Sequence, residues 1–213
     1  MDLGAILDAI KIWTEGIISS MGYPGLVLVM FLENIFPPIP SEVVLPLAGN
    51  LTNSGALSLF WVIFWAMIGA LLGAFFWYFL SRWFGEKRIY WLVEKVGKYL
   101  LIHTDDLDKS FAFFNKHGEW TIFFGRMVPI VRSLISIPAG LAEMKLWKFV
   151  GFTILGTTLW NTVLVVAGRL LGPAWPKVIE IIDVYQNIVL VLVVVAAVAF
   201  FGIRIYQLIQ KRK

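Results

Sequence analysis

Long apolar stretches dominate this chain, and the charged residues are gathered between them. No Asp, Glu, Lys or Arg occurs over residues 43–81, 149–168 or 184–203. Each window can supply the roughly 20 apolar residues that a helix needs to cross a bilayer. A buried helix of a soluble core would account for one such run, but hardly for three in 213 residues. The pattern therefore predicts an all-α integral membrane protein, with spanning helices over 56–80, 147–168 and 187–206. Gly69 and Gly73 in the first span form a GALLG stripe of small residues suited to close helix packing, within one chain or between two in a homo-oligomer.

The intervening segments follow other patterns. Over residues 1–22, Leu3, Ile6, Leu7, Ile10, Trp13 and Ile17 recur near helical spacing, with Asp8, Lys11 and Glu15 between them. That predicts an amphipathic helix at the membrane surface. Residues 24–50 begin apolar and then meet Pro37, Pro38, Pro40 and Pro46. Proline lacks the backbone N–H and clashes with the preceding turn, so one regular helix cannot hold all four. Irregular backbone at membrane depth is tolerated only where protein or a wet cavity surrounds it. The expectation is a helix, a break and a second short helix, either a re-entrant hairpin or a broken span. Residues 121–144 repeat the pattern, with Pro129, Pro138 and Gly140 as the breaks. Residues 82–119 hold seven Lys or Arg and six Asp or Glu, and read as one or two surface helices, with a helix start after Thr104.

Composition narrows the chemistry. Charged residues make up 15% of the chain, against about 25% in soluble domains. There is no cysteine, so disulfides and thiolate metal clusters are excluded. His103 and His117 lie apart in the polar stretch and suggest no metal site. The acidic start, with Asp2 and Asp8, does not fit a secretion signal with a basic beginning. The net charge of +4 would hint at nucleic acid in a soluble protein, but no base-reading motif or basic aromatic groove accompanies it. Lys and Arg instead collect on the cytoplasmic side of membranes. The tail residues Arg204, Lys211, Arg212 and Lys213 place the C-terminus inside, and residues 82–119 fall on the same face if 121–144 re-enters.

The two broken segments match each other. Phe31, Pro37, Ser41 and Pro46 correspond to Phe123, Pro129, Ser133 and Pro138 at a constant offset of 92. Gly69, Arg82 and Gly85 correspond to Gly156, Arg169 and Gly172 at an offset of 87. One membrane domain, 1–213, is expected, built from half-repeats at 24–85 and 121–172 plus the span at 187–206. The inferred topology sets the two halves in opposite orientations. Gly- and Pro-interrupted segments at equivalent places in two halves point to the central site of a transporter.

Four charged residues flank these breaks: Glu33, Glu42, Arg126 and Arg132. A charge at mid-membrane costs about 2.5–3.5 kcal/mol on the insertion scale. Snorkelling to headgroups would explain charges near the interface, yet all four cluster at the breaks. Guanidinium groups bind phosphate in a planar fork that lysine cannot match. Ser133 beside Arg132 adds a hydroxyl. The chemistry suggests an amphiphilic phosphate held by Arg126, Arg132 and Ser133. Buried carboxylates can load and release protons near neutral pH, so Glu33 and Glu42 are candidates for coupling to a proton gradient, with sodium as the alternative ion. No nucleophile or metal-like cluster suggests hydrolysis, and no cofactor is expected.

The motifs FLENIFPPIPSE and FFGRMVPIVRSLISIPAG, with the glycine-rich helix after the first, resemble the DedA family, also called the SNARE-associated or VTT-domain family. The resemblance covers most of the chain. It implies a bacterial inner-membrane protein with two opposed re-entrant segments that translocates lipid. Bacterial relatives are linked to recycling undecaprenyl phosphate, the carrier lipid of wall synthesis, and eukaryotic relatives to phospholipid scrambling. The family's functional acids match Glu33 and Glu42, and its paired arginines match Arg126 and Arg132. This chain departs in the proline-dense FPPIPSE: some relatives have a longer insert between the acids and an Asp at the second. The expected function is proton-coupled flipping of undecaprenyl phosphate. A passive phospholipid scramblase and a non-transporting scaffold or small-ion exchanger are the alternatives.

Overall fold

The computed structural model describes residues 3–36, 41–96, 104–129 and 131–172, together with Val195 and Val198. Every regular element among them is helical. Helix α1 (Leu3–Met21) leads into α2 (Tyr23–Ile35), whose Pro24 sits in the first turn, where no N–H is needed. Next comes α3 (Ser41–Leu51). At 1.5 Å per residue α2 and α3 reach about 20 and 16 Å, short of the ~30 Å hydrocarbon core.

Helix α4 (Leu59–Val96) bends at Gly85, whose φ of +76° and ψ of 160° are open to glycine but strained for residues with a Cβ. The bend falls where the apolar run ends and the charged segment begins. Helix α5 (Thr104–Gly125) is followed by two short pieces, α6 (Val131–Leu134) and α7 (Ser136–Leu141), and then by α8 (Leu146–Leu171). Among the described residues α4 and α8 are the two helices long and apolar enough to cross a membrane. Neither is a wrapped core helix. Phe76, Phe79 and Leu80 on α4, and Leu155, Leu159 and Val163 on α8, remain exposed. Water would penalise so large an apolar surface, whereas lipid solvates it.

The short helices pack crosswise on this pair. Helix α2 lies on α4 and α5 on α8, while α3 lies on α8 and α7 on α4. The α3 and α7 contacts use matching residues. A Cβ on Gly49 of α3 would run into the backbone of Val165 and Arg169, and one on Gly140 of α7 into the backbone of Tyr78 and Arg82. Val165 and Arg169 follow Tyr78 and Arg82 by 87 residues, the offset already present in the glycine and arginine pattern.

Several expectations need correction. Pro46 does not break the chain. It lies inside α3, with its backbone against Gly168 of α8, so tertiary packing offsets the lost hydrogen bond. Pro138 occupies the first turn of α7, where its missing N–H costs nothing, and Gly140 is a helix contact point rather than a break. Pro129 is in the turn between α5 and α6. Pro37, Pro38 and Pro40 lie outside the described residues, between the end of α2 and the start of α3. The charged stretch 82–119 holds two largely exposed helical runs, the second starting at Thr104 as expected. The first is the continuation of α4 to Val96, and the second, α5, runs on unbroken into the second broken segment. The span expected at 187–206 lies outside the described residues apart from Val195 and Val198, both helical and exposed.

Candidate functional site

Among the apolar side chains packed between these helices lies a group of buried polar and charged residues. Glu33 comes from the last turn of α2, Glu42 from the first turn of α3, Arg126 from the turn after α5, and Arg132 and Ser133 from α6. All five are buried, Glu33 with 1% of its surface exposed and Arg126 with 2%. Arg132 Nη2 forms an ion pair with Glu33 Oε1, joining residues 99 apart in sequence. Arg126 reaches back over the break. Its Nη1 donates to the Arg132 carbonyl at 2.6 Å, and its Nη2 to Ser136 Oγ at 2.8 Å. The carbonyl it takes is one that the short α6 leaves spare. The broken helix thus exposes acceptors for one arginine while presenting the other to the acid on α2.

The structure therefore brings Glu33, Arg126 and Arg132 into one cluster. Glu42 is electrostatically coupled to Glu33, as are both arginines, but makes no ion pair among the described residues. Several polar atoms here have no hydrogen-bond partner among the described residues: Glu33 Oε2, Glu42 Oε1, Ser41 Oγ and Arg126 Nε. Leaving such a group unmade costs about 1–3 kcal/mol, more when it is charged. Of these, Arg126 Nε and the Ser41 hydroxyl can donate to an oxygen-rich guest, whereas the two carboxylate oxygens can only take a proton or accept from a donor. Sequence reasoning missed Ser136, which holds Arg126, and Asn34, buried beside Glu33 with its backbone carbonyl accepting from Trp77 Nε1 at 3.1 Å. Ser136 stands four residues after Arg132, a helical spacing that the two adjoining breaks obscure.

Next to the Arg126 turn, an apolar groove of about 410 Å³ opens along α5. Trp120, Phe124, Val128, Val131 and Ile135 line it. A charged cluster and an apolar groove thus adjoin the same turn. Among the described residues no group of three or more His, Cys, Asp or Glu side chains is arranged to hold a metal ion.

No solved structure matches the chain. It is 41% identical to an alkaline phosphatase-like protein of Lactococcus lactis, over 83% of each chain. It is 33% identical to undecaprenyl phosphate transporter A of Bacillus subtilis, over 99% of this chain and 100% of that one. The same identity holds with the transporter of that name from Staphylococcus aureus, over 88% of this chain and 92% of that one. Residues 39–170, which run from the entrance of α3 to the end of α8, match the VTT domain. The chain belongs to the VTT-domain, or DedA, family of membrane proteins, which are non-catalytic and of transporter type.

Proposed function

We propose that this protein carries a polyprenyl phosphate of the undecaprenyl class across the bacterial inner membrane, using the Glu33–Arg132–Arg126 cluster as the phosphate site. The observation that carries the reading is the pair of buried arginines at a helix break, Arg126 with its Nε unpartnered and Arg132 held by an acid that a proton can neutralise. Arg126 and Arg132, with Ser133 beside them, receive the phosphate. The isoprenoid tail lies in the groove at Trp120 and Phe124 and continues into lipid. Glu33 competes with the phosphate for Arg132, so protonating Glu33 frees the guanidinium for the lipid. Glu42, with an unpartnered oxygen, is the second proton carrier. Proton binding and phosphate binding are thereby linked, and a proton gradient can drive net transport.

The architecture of this reading is two re-entrant hairpins entering from opposite faces, α2–α3 and α5–α7, braced on the spanning helices α4 and α8. The repeated glycine contacts and the shortness of α2 and α3 support it. The basic tail and the 82–119 segment face the cytoplasm. The Bacillus and Staphylococcus relatives' name supports the choice of lipid. The Lactococcus relative's name points to phosphatase chemistry, but among the described residues no group of three or more His, Cys, Asp or Glu side chains is arranged to hold a metal ion for it.

The test is a titration of undecaprenyl phosphate, with undecaprenol as control, against the purified protein and its Arg126→Ala/Arg132→Ala variant. The expected result is preference for the phosphate in the parent and its loss in a variant that still folds. Unchanged preference would sink the site. In proteoliposomes, net movement should respond to an imposed pH gradient. Equal movement of unrelated phospholipids would favour a scramblase instead.

A further inference from the structure

Thr153, Thr157 and Asn161 follow one another at intervals of four on α8, inside its charge-free run. At 3.6 residues per turn they make one stripe, extending about 12 Å along the axis. The stripe faces inward: Thr153 and Asn161 are wholly buried and Thr157 nearly so. Leu155, Leu159 and Val163 occupy the lipid-facing side of the same turns.

The hydroxyls of Thr153 and Thr157 and both amide atoms of Asn161 have no hydrogen-bond partner among the described residues. A helical threonine can satisfy itself on the carbonyl four residues back, as Thr162 does on Thr158 at 2.7 Å. Thr153 and Thr157 do not. Buried polar groups in proteins are almost always paired with protein, water or ligand. Three successive turns of unpaired groups on one face call for an occupant that is polar and mobile.

The stripe connects two parts of the site. Near its middle Gly156, beside Thr157, lets Arg126 come close: a Cβ there would stand 3.0 Å from Arg126 Cβ and 2.7 Å from the Phe123 carbonyl. The same arginine has an unpartnered Nε. One turn beyond Asn161, Leu164 and Val165 pack in one cluster with Val44, Leu45 and Ala48 of α3. That is the helix whose first turn carries Ser41 and Glu42.

We propose that this face of α8 is a hydrated track and the second station for the lipid's phosphate, which passes from the arginines along Thr157 and Asn161. This rests on the reading of the arginines as the first station. Hydroxyl and amide groups donate to phosphate oxygens without adding a positive charge. They can keep the head group solvated while holding it weakly enough to let it leave, as a conducting path requires.

The chain is free of cysteine, so single cysteines report cleanly. Thr153→Cys, Thr157→Cys and Asn161→Cys, in the full-length protein in liposomes, are treated with a charged methanethiosulfonate reagent. Val165→Cys, buried on the same helix among apolar side chains, is the control. We expect at least ~10-fold faster labelling at 157 and 161 than at 165, and slowing at 157 by undecaprenyl phosphate but not by undecaprenol. Labelling at all three positions no faster than at 165 would overturn the track. Fast labelling that the phosphate lipid leaves unchanged, while the parent still prefers that lipid in titration, would overturn the second station alone. Loss of phosphate preference in the parent would instead bring down the underlying reading. Thr157→Val, which keeps the shape, should slow transport by about 10-fold with lipid affinity little changed, and Thr157→Ser should restore it. Normal transport by Thr157→Val would also overturn the proposal.

Discussion

Arg132 has two roles that substitution can separate. It is the ion-pair partner of Glu33, with both residues almost fully buried, and it is the proposed fork for phosphate. Removing one member of a buried pair strands the other and costs about 3–5 kcal/mol. For a chain of this size each kcal/mol shifts the midpoint by about 2–4 °C. Arg132→Ala should therefore lower the melting temperature in detergent by on the order of 10 °C. Arg132→Lys keeps the charge and should recover most of that loss. Glu33→Gln/Arg132→Gln removes both charges and should recover part of it. Lipid binding should follow a different order. Lysine is a point charge without the planar fork, so Arg132→Lys should bind undecaprenyl phosphate about 10-fold more weakly or worse, ~1.4 kcal/mol, close to Arg132→Ala. The double glutamine variant should also fail to bind, although more stable than Arg132→Ala. Tryptophan fluorescence, from 10 residues, reads the unfolding, and lipid titration of the same samples reads binding. Parent-like affinity in Arg132→Lys would refute the fork argument. Affinity that tracks melting temperature across the series would make Arg132 a structural ion-pair partner and nothing more.

Other expectations follow from the same geometry. Gly49→Ala and Gly140→Ala each press a methyl into helix backbone, so each should destabilise by about 1–3 kcal/mol or more. Gly16→Ala, with nothing within 4 Å, should not, and equal melting curves for all three would refute the crosswise brace. Single cysteines at exposed positions between 82 and 119, and in the C-terminal tail, should resist an impermeant thiol reagent in intact cells. Labelling of the tail from outside would reverse the orientation. Tyr90, outside the spanning part of α4, donates to Asp108 of α5, and this bond pushes its phenol up to about 12. Because the folded value is raised, the bond's contribution is complete below the ordinary value of about 10 and is lost as pH climbs through 12. An ultraviolet titration of the protein against Tyr90→Phe reads it, and a phenol that titrates near 10 would refute the link.

The spans at 56–80 and 147–168 were legible because nothing but lipid-facing or buried helix explains such runs without charge. The end of α2 at Ile35 was legible from the prolines that follow it. The four charges were legible because each stands out against an apolar background. What escaped depends on contacts distant in sequence. Pro46 reads as a breaker, yet α3 continues through it, because the fold sets its backbone against Gly168. The change from polar to apolar near residue 120 reads as a boundary, yet α5 crosses it, since a helix can leave water for lipid without ending. Ser136 became visible only when the turn at Arg126 folded back on α6. Thr153, Thr157 and Asn161 carry a four-residue period that was present in the sequence but muted by the apolar residues around it.

The placement of glycines explains how a polar centre is held inside so apolar a molecule. Buried charges are costly in any fold, and membrane helices lack the hydrophobic drive that holds soluble cores together. Close backbone contact has to supply the adhesion instead. Gly49 and Gly140 let α3 and α7 seat directly on the backbones of α8 and α4. Gly69 and Gly156 do the same for α2 and the end of α5, meeting the carbonyls of Val27 and Phe123. Helices α2, α3 and α7 are thus anchored away from their broken ends, and α5 close to its own. The broken ends carry Glu33, Ser41, Glu42, Arg126 and Arg132, so the anchors fix those ends without filling the space between them. A larger side chain at any of the four glycines would be expected to act on the charged cluster by moving a whole helix. For that reason lipid binding by Gly156→Ala, whose methyl would press on Arg126 Cβ at 3.0 Å, should suffer more than its stability does.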